Sequence, residues 1–188
     1  MLKARLLGLA MLLAGCGTVE NMSQTLQMQV DGEVLRLDGL INTRALRQFV
    51  TVLDDNPGLA VVELGEIEGS IDDDVVAEMG YTLRDRGLDT RVTASSEVYS
   101  GGVDLFLAGV NRVASPGAVL GVHSWGSGLG TTARDFPRGS KQHEPTRGYT
   151  EDMLGSDAFY WFTIEAAAFD DIHVMTRGEM IKYGVVTR

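Results

Sequence analysis

The sequence predicts an α/β protein in which helices flank a parallel sheet. Two features of the 188-residue chain predict this class. Short strand-like stretches alternate with longer helix-like stretches, which is the pattern of strand–helix–strand units. The chain is also long enough to bury a core of its own, and no repeat, low-complexity tract or linker divides it. We therefore expect one domain over residues 25–188.

The first elements are predicted from alternation and from turn residues. Residues 25–38 alternate between apolar and polar side chains around Asp31-Gly32, a dipeptide that favours a tight hairpin turn. This pattern places an edge strand at the start of the domain. The next elements are a strand over residues 33–40, a helix over residues 42–55 and a strand over residues 60–64.

The alternation continues through the middle of the chain. Glu68-Gly69-Ser70 is expected to form a glycine turn before a helix that carries Val75 and Met79. The elements after it are a strand over residues 90–94, an apolar helix that begins at Ser100 and an apolar strand that ends at His123.

The C-terminal third contains the least regular segment. Residues 124–149 are rich in glycine and charged side chains, and such a segment is a lid, an oligomer contact or a mobile surface loop. Residues 156–169 then form an aromatic-rich stretch that predicts a helix packed on the sheet. Apolar stripes of this kind belong to a core more often than to a binding site.

Ser100 and His123 are the candidate catalytic pair. A serine hydroxyl attacks a carbonyl at neutral pH only when a base lies within hydrogen-bond reach, and histidine is the usual base. Each residue also has a structural interpretation, since serine is a common helix N-cap and a core histidine can be satisfied by local hydrogen bonds. If the strand end and the helix start meet, the pair indicates a serine hydrolase.

The order of these segments resembles the ClpP-type serine peptidases of the ClpP/crotonase superfamily. The resemblance is carried by Ser100-Gly101 at a helix start, by the strand ending in His123, and by residues 175–186, which are similar to the closing helix and strand of the family. It implies a ClpP/crotonase-like fold of ββα-type units, a serine hydrolase that acts as a peptidase on a peptide or acyl substrate, and self-association into a homo-oligomer. Together with the N-terminal signal described below, it predicts an envelope-anchored enzyme. It implies no cofactor.

The resemblance also implies an acidic residue that orients the histidine. Asp171 is the best candidate in this sequence, although one residue of slack is needed to align it, and Asp170 is its neighbour. Asp104 is a further candidate because it lies one helical turn after Ser100. A solvated turn or a helix cap is the alternative role of all three acids, and it is favoured more for Asp170 and Asp104 than for Asp171.

Two backbone amides would hold the oxyanion in this family. The resemblance assigns them to Gly69 and to Gly101, the residue after the nucleophile. The sequence departs from the family pattern at Glu68, where a glycine is usual. A carboxylate that pointed into the site would repel an anionic intermediate.

The N-terminus has the pattern of a bacterial lipoprotein signal. Basic Lys3 and Arg5 precede an apolar stretch and then Leu13-Ala14-Gly15-Cys16, so we expect residues 1–15 to be a signal peptide and Cys16 to be lipidated. An ordinary secretory signal is the alternative. Residues 16–24 would tether the domain to a membrane, and Gly17 favours the outer membrane, with the domain facing the periplasm.

Charge and spacing exclude several functions. The formal net charge is −10, and removal of the signal peptide would leave −12, which argues against nucleic acid or anionic lipid as a partner. The three histidines have no metal-ligand spacing, so no metal is expected. No lysine stands where the signal-peptide-peptidase relatives have their base, which favours a Ser-His system over a Ser-Lys system.

Three functions remain compatible with the sequence. The first is the serine hydrolase described above. The second is a catalytically silent ClpP-like binding or scaffolding lipoprotein, which Glu68 and the displaced aspartate favour, because fold resemblance alone does not show activity. The third is a crotonase-type acyl-thioester enzyme, for which neither a catalytic acid nor an adenine pocket is evident in the sequence.

Overall fold

The computed structural model describes residues 25–127 and 130–187. The expected signal peptide of residues 1–15, the tether of residues 16–24 and the lipidation site Cys16 lie outside these residues. No helix in the described part of the chain is long and apolar enough to cross a membrane.

The fold is a mixed α/β sheet with helices packed against it, as the sequence predicts. The strands are β1 (Gln27–Asp31), β2 (Val34–Ile41), β3 (Val61–Ser70), β4 (Asp89–Tyr99), β5 (Arg112–Ala114), β6 (Val119–Val122) and β7 (His173–Val174). The helices are α1 (Ala45–Asp55), α2 (Asp73–Asp85), α3 (Gly101–Leu107), α4 (Glu144–Leu154), α5 (Ala158–Ala166) and α6 (Arg177–Lys182).

The sheet is parallel at its centre and antiparallel at its two edges. Its order is β1-β2-β3-β4-β6-β7, and β5 pairs with the first half of β4. β1 and β7 are the antiparallel edge strands. The turn at Asp31-Gly32 joins β1 to β2 with Asp31 opposite Val34, which confirms the predicted hairpin.

The core forms between the sheet and the helices on it. Apolar side chains from α1, α2 and α3 pack on those of β2, β3 and β4, and Phe49, Met79 and Phe106 are fully buried. α2 begins with Asp72 as N-cap, whose carboxylate accepts a hydrogen bond from the N–H of Val75. Burial of these side chains is the main stabilising contribution to the fold.

Three sequence predictions of local structure are wrong. Glu68-Gly69-Ser70 is not a turn, because β3 continues to Ser70 in register with the end of β2. The C-terminal residues 185–186 form no strand, and the last strand, β7, precedes α6 instead. The segment 124–149 was expected to be irregular throughout, but its last residues form the start of α4, which begins at Glu144.

A buried arginine holds the C-terminal segment against the sheet. The Arg112 guanidinium donates hydrogen bonds to the carbonyls of Gly109 (2.8 Å), Gly184 (2.9 Å) and Val185 (3.0 Å). Burial, with the nearby charge of Arg84, lowers the pKa of Arg112. The three carbonyls satisfy this buried cation in place of a carboxylate.

Candidate active site

A cavity lies where β4 and β6 end. Because these strands are parallel neighbours, with Tyr99 opposite Gly121, the residues that follow them meet at one edge of the sheet. Ser100 follows β4 and His123 follows β6, and both line the cavity. The other lining residues are Asp73, Asp104, Val122, Trp125, Thr146, Thr150, Phe159, Tyr160 and Thr163. The structure therefore brings the candidate nucleophile and its candidate base into one site.

Ser100 has a strained backbone. Its φ is +52° and its ψ is −126°, and it is the only residue other than glycine with positive φ in the described part of the chain. Such a conformation costs a residue with a Cβ atom about 1–3 kcal/mol. The bend is held by the Ser100 N–H, which donates to the Gly121 carbonyl (2.9 Å), and by the Ser100 carbonyl, which accepts from the N–H of Val103 (2.8 Å).

The Ser100 hydroxyl makes no hydrogen bond to any residue that the structure describes. Ser100 occupies the N-cap position of α3, but its side chain makes no capping hydrogen bond. The interpretation of Ser100 as a stabilising cap is therefore not supported by its contacts. The chain bears the strain at a residue whose hydroxyl is free to react.

Two glycines allow neighbouring strands to approach this bend. Gly69 has φ +128°, and a Cβ atom added there would lie 3.2 Å from the Cβ of Ser100. Gly101 has the Ser70 side chain where its own Cβ would be, and Ser70 Oγ donates to Asp73 (3.0 Å). Glu68 is exposed and is not among the lining residues of the cavity.

His123 is held in a defined tautomer. Its Nδ1 lies 2.9 Å from the carbonyl oxygen of Ser124. A carbonyl only accepts hydrogen bonds, so Nδ1 carries the hydrogen and the neutral ring has its lone pair on Nε2. No hydrogen bond joins His123 to Ser100 in this structure, but apo catalytic pairs are often open in this way.

The three candidate acids lie in different places. Asp171 is exposed on a turn, where its carboxylate accepts from the N–H of Ile172 (2.8 Å), and neither it nor the exposed Asp170 lines the cavity. Asp104 does line the cavity. At Nδ1 of His123, where an orienting acid would bind, the structure has the Ser124 carbonyl instead.

Asp104 is an unusual carboxyl group. Burial, together with repulsion from Asp73, raises its pKa to about 7. A carboxyl with this pKa is half protonated near neutral pH, which is the range in which a side chain exchanges protons readily. Tyr149 O–H donates to the backbone carbonyl of Asp104 (2.8 Å), so α4 fixes the position of this residue.

A directional hydrogen-bond chain forms one wall of the cavity. Trp125 Nε1–H donates to the Tyr160 hydroxyl (2.9 Å), which donates to Nδ1 of buried His143 (2.6 Å). His143 Nε2–H then donates to the carbonyl of Phe136 (3.3 Å). This chain ties the segment after His123 to α5.

Sequence reasoning missed most of the cavity wall. Thr146 and Thr150 come from α4, which was not predicted, although Pro145 near its start and Gly155 with φ +75° at its end are recognised helix signals. Phe159 and Tyr160 were interpreted as core residues of the aromatic helix. They are buried, and they also line the cavity. Within residues 25–127 and 130–187, no three His, Cys, Asp or Glu side chains group as metal ligands.

Comparison with known proteins identifies the fold. No protein-family model matches the chain, and no curated protein matches it in sequence. Among solved structures, it is similar to a serine-to-alanine variant of the 1510-N membrane-bound stomatin-specific protease, with 15% identity, a TM-score of 0.56, and coverage of 81% of this chain and 75% of that one. A lysine-to-alanine variant of the same protease, in complex with a substrate peptide, gives 15% identity, a TM-score of 0.54 and coverage of 81% and 71%.

An enzyme of another activity shares the same architecture. An enoyl-CoA hydratase from Shewanella pealeana has 11% identity and a TM-score of 0.51, over 86% of this chain and 66% of that one. Proteases and hydratases thus occur together among the structures similar to this chain. The chain has the ClpP/crotonase-like fold, and its fold alone does not select between these activities.

Replacement of Ser100 by glycine is expected to stabilise the protein relative to replacement by alanine. Both changes remove the hydroxyl, but only glycine adopts φ +52° without strain, so we expect Ser100→Gly to exceed Ser100→Ala by about 1 kcal/mol in the free energy of unfolding. Urea denaturation measures the difference. The matched control is exposed Ser95 in β4, where glycine should be the less stable by about 0.5–1 kcal/mol. The same order at both positions would contradict the strain at Ser100.

Asp104 is expected to lower stability as pH rises. Its pKa in the folded protein, about 7, lies above the unfolded value, so its stabilising contribution is complete below about pH 4 and is lost as the pH rises towards 7. The loss is at most about 4 kcal/mol. Asp104→Asn should remove this decline in urea unfolding between pH 4 and 8.

Asp171→Asn is the control for this pH series. It removes one acidic side chain that is exposed and lies outside the cavity, so it separates the effect of the Asp104 site from the effect of the charge alone. An Asp104→Asn curve that parallels the wild-type curve would show that the carboxyl ionises normally.

Proposed function

We propose that this chain is a serine hydrolase that acts as a peptidase, with Ser100 as nucleophile and His123 as general base. One observation carries the proposal. The only strained residue other than glycine in the described structure is a serine whose hydroxyl has no partner, and it shares a cavity with a histidine. Strain of this kind is retained at functional sites.

The reaction follows from the tautomer of His123. As Ser100 Oγ attacks a substrate carbonyl, its proton passes to Nε2, the nitrogen left unprotonated by the hydrogen bond from Nδ1 to Ser124. The imidazolium then donates this proton to the leaving group, and the acyl group remains on Oγ. A water molecule, deprotonated by the same nitrogen, releases the acid product and regenerates the hydroxyl.

The orienting group of His123 has two candidates. The carbonyl of Ser124 fixes the ring and its tautomer, but a neutral dipole stabilises an imidazolium less than a carboxylate does. Asp171 would supply the carboxylate of a triad only after a rearrangement of its exposed turn. We retain both, because they predict different outcomes for the same variant.

The amides of Gly69 and Gly101 are the proposed oxyanion donors. Gly101 follows the nucleophile at the start of α3, where the first N–H groups of a helix have no intrahelical acceptor. The backbone of Gly69 lies against the Ser100 side chain from the other side. The exposed position of Glu68 removes the objection that its carboxylate repels the intermediate.

Lys141 is the competing candidate for the base. In the two variants of the stomatin-specific protease, the substituted lysine lies 41 residues after the substituted serine. Lys141 lies 41 residues after Ser100, in the 3-10 turn (Lys141–His143) that precedes α4. It is exposed and does not line the cavity, so His123 is the better placed of the two.

A silent scaffold remains the alternative function. The observation that favours it is the absence of a hydrogen bond between Ser100 and His123 in the described structure. A site that never closes would bind a peptide without cleaving it. An acyl-thioester activity has support only from Asp104, the acidic side chain in the cavity.

We also propose that the protein is a lipoprotein, anchored through Cys16 and facing the periplasm from the outer membrane. The support is the sequence pattern of residues 1–16. Self-association of the domain is an expectation from the resemblance.

Radiolabelled palmitate tests the lipid anchor. The full chain expressed in a bacterium should incorporate the label, and the Cys16→Ser variant should not. Equal incorporation in the two proteins would exclude this anchor.

A fluorophosphonate probe tests the proposed activity. The full chain in detergent should be labelled, Ser100→Ala should not be, and His123→Ala should be labelled at least about 100-fold more slowly. Lys141→Ala is the matched control, and it should keep the wild-type rate. Loss of labelling in Lys141→Ala with retention in His123→Ala would assign the base to the lysine.

The same assay decides the orienting group and the alternative function. Asp171→Asn should label as slowly as His123→Ala if its carboxylate completes a triad, and at the wild-type rate if the Ser124 carbonyl is sufficient. A folded wild-type protein that is not labelled would favour the silent scaffold.

A further inference from the structure

The cavity at Ser100 continues into an acidic cleft. A second depression adjoins it and shares Asp73, Asp104 and Thr146 with it. Asp74 lines the second depression, so three aspartates (Asp73, Asp74 and Asp104) line the two adjoining depressions, which are here called the acidic cleft. No lysine or arginine lines either part of it.

The carboxyl group of Asp104 has no partner in the described structure. Its side chain accepts no hydrogen bond and forms no ion pair within residues 25–127 and 130–187. Its nearest charged neighbour is Asp73, which repels it. A buried carboxyl group without a donor or a cation destabilises a protein, so a structural role does not account for Asp104.

The arginines of the two helices that contribute Asp73 and Thr146 to the cleft are committed to other groups. Arg84 lies behind α3, where its guanidinium donates to the carbonyls of Ala108 (2.7 Å), Leu107 (3.0 Å) and Met153 (3.2 Å). Arg147 in α4 is paired with Asp157 (3.5 Å). Neither arginine is therefore a counter-ion to the acidic cleft.

We infer that the acidic cleft binds a cationic group of the substrate, an ammonium or guanidinium, beside the Ser100 hydroxyl. This inference rests on the proposed function and narrows its substrate class. Asp104 and Ser100 line the same cavity, so a substrate whose cation is held at Asp104 can present a nearby carbonyl to the nucleophile. The bound cation offsets the repulsion between Asp73 and Asp104 and supplies the donor that Asp104 lacks.

Two sources supply the same chemistry in a peptide. A lysine or arginine side chain near the scissile bond is one, and the free α-ammonium of an N-terminus is the other. The first would make the enzyme an endopeptidase selective for basic residues, and the second would make it an aminopeptidase. The substrates in the test separate them.

Binding to an inactive variant measures the preference without requiring catalysis. The full chain carrying Ser100→Ala is titrated with four fluorescein-labelled alanine-based peptides, read by fluorescence anisotropy. Three are N-acetylated and carry lysine, norleucine or glutamate at one central position, and the fourth carries norleucine and a free N-terminus. Lysine and norleucine match in length, so their comparison isolates the charge.

A cation preference of about 10-fold or more is the expected result. The acetylated lysine peptide, or the norleucine peptide with a free N-terminus, should bind that much more tightly than acetylated norleucine, and the glutamate peptide should bind most weakly. Addition of Asp104→Asn or Asp73→Asn should reduce the ratio to about 2. Asp85→Asn, at the far end of α2 about 18 Å away, removes the same charge and should leave the ratio unchanged.

Several results would overturn the inference. These are equal binding of all four peptides, no binding of any, or a preference that Asp104→Asn and Asp73→Asn do not reduce. The outcome is independent of the labelling assay. If the protein prefers cationic peptides but is not labelled by the fluorophosphonate, the cation site is supported and the hydrolase activity is rejected. If the protein is labelled but shows no preference, the hydrolase activity is supported and the cation site is rejected.

Discussion

The sharp turn of the chain at Ser100 is the constraint on which the site depends. β4 is the longest strand and pairs with β3, β5 and β6, and at its end the chain must reverse within one residue to begin α3. The hydrogen bond from Ser100 N–H to Gly121 continues the β4–β6 pairing into the turn itself. The Ser100 hydroxyl is thus fixed by the centre of the sheet, which is the most rigid part of such a fold, and the strain of the Ser100 backbone is compensated by the core beneath it.

Much of the fold could be predicted from the sequence because its signals are local. The hairpin at Asp31-Gly32 and the alternation of strands and helices depend on near neighbours along the chain. The predictions failed where pairing between distant segments decides the structure. β3 extends through Gly69 only because β2 offers it a partner, and nothing within Glu68-Gly69-Ser70 encodes that partner. The helix that begins at Glu144 was missed for another reason. Most of its side chains are polar, so it lacks a clear apolar face, even though Pro145 and Gly155 mark its ends.

In the candidate site too, some residues could be predicted from local sequence signals, whereas others depend on contacts between distant segments. Ser100 and His123 were predictable because each has a distinctive side chain at an element boundary, and parallel strands bring such boundaries together. The group at Nδ1 of His123 was not predictable, because every residue has a backbone carbonyl and no sequence pattern marks the one at Ser124. Asp104 was only one of three candidate acids, and its isolation beside Asp73 depends on packing across two helices.

The chain of hydrogen bonds through Tyr160 also links two segments that line the cavity. The tyrosine hydroxyl has a single proton, which it donates to His143 while it accepts from Trp125. Loss of either hydrogen bond would leave a polar group without its partner, so one hydroxyl couples the chain after His123 to α5. A displacement of Trp125 is therefore expected to change the position of the Tyr160 hydroxyl, and with it the hydrogen bond that holds His143.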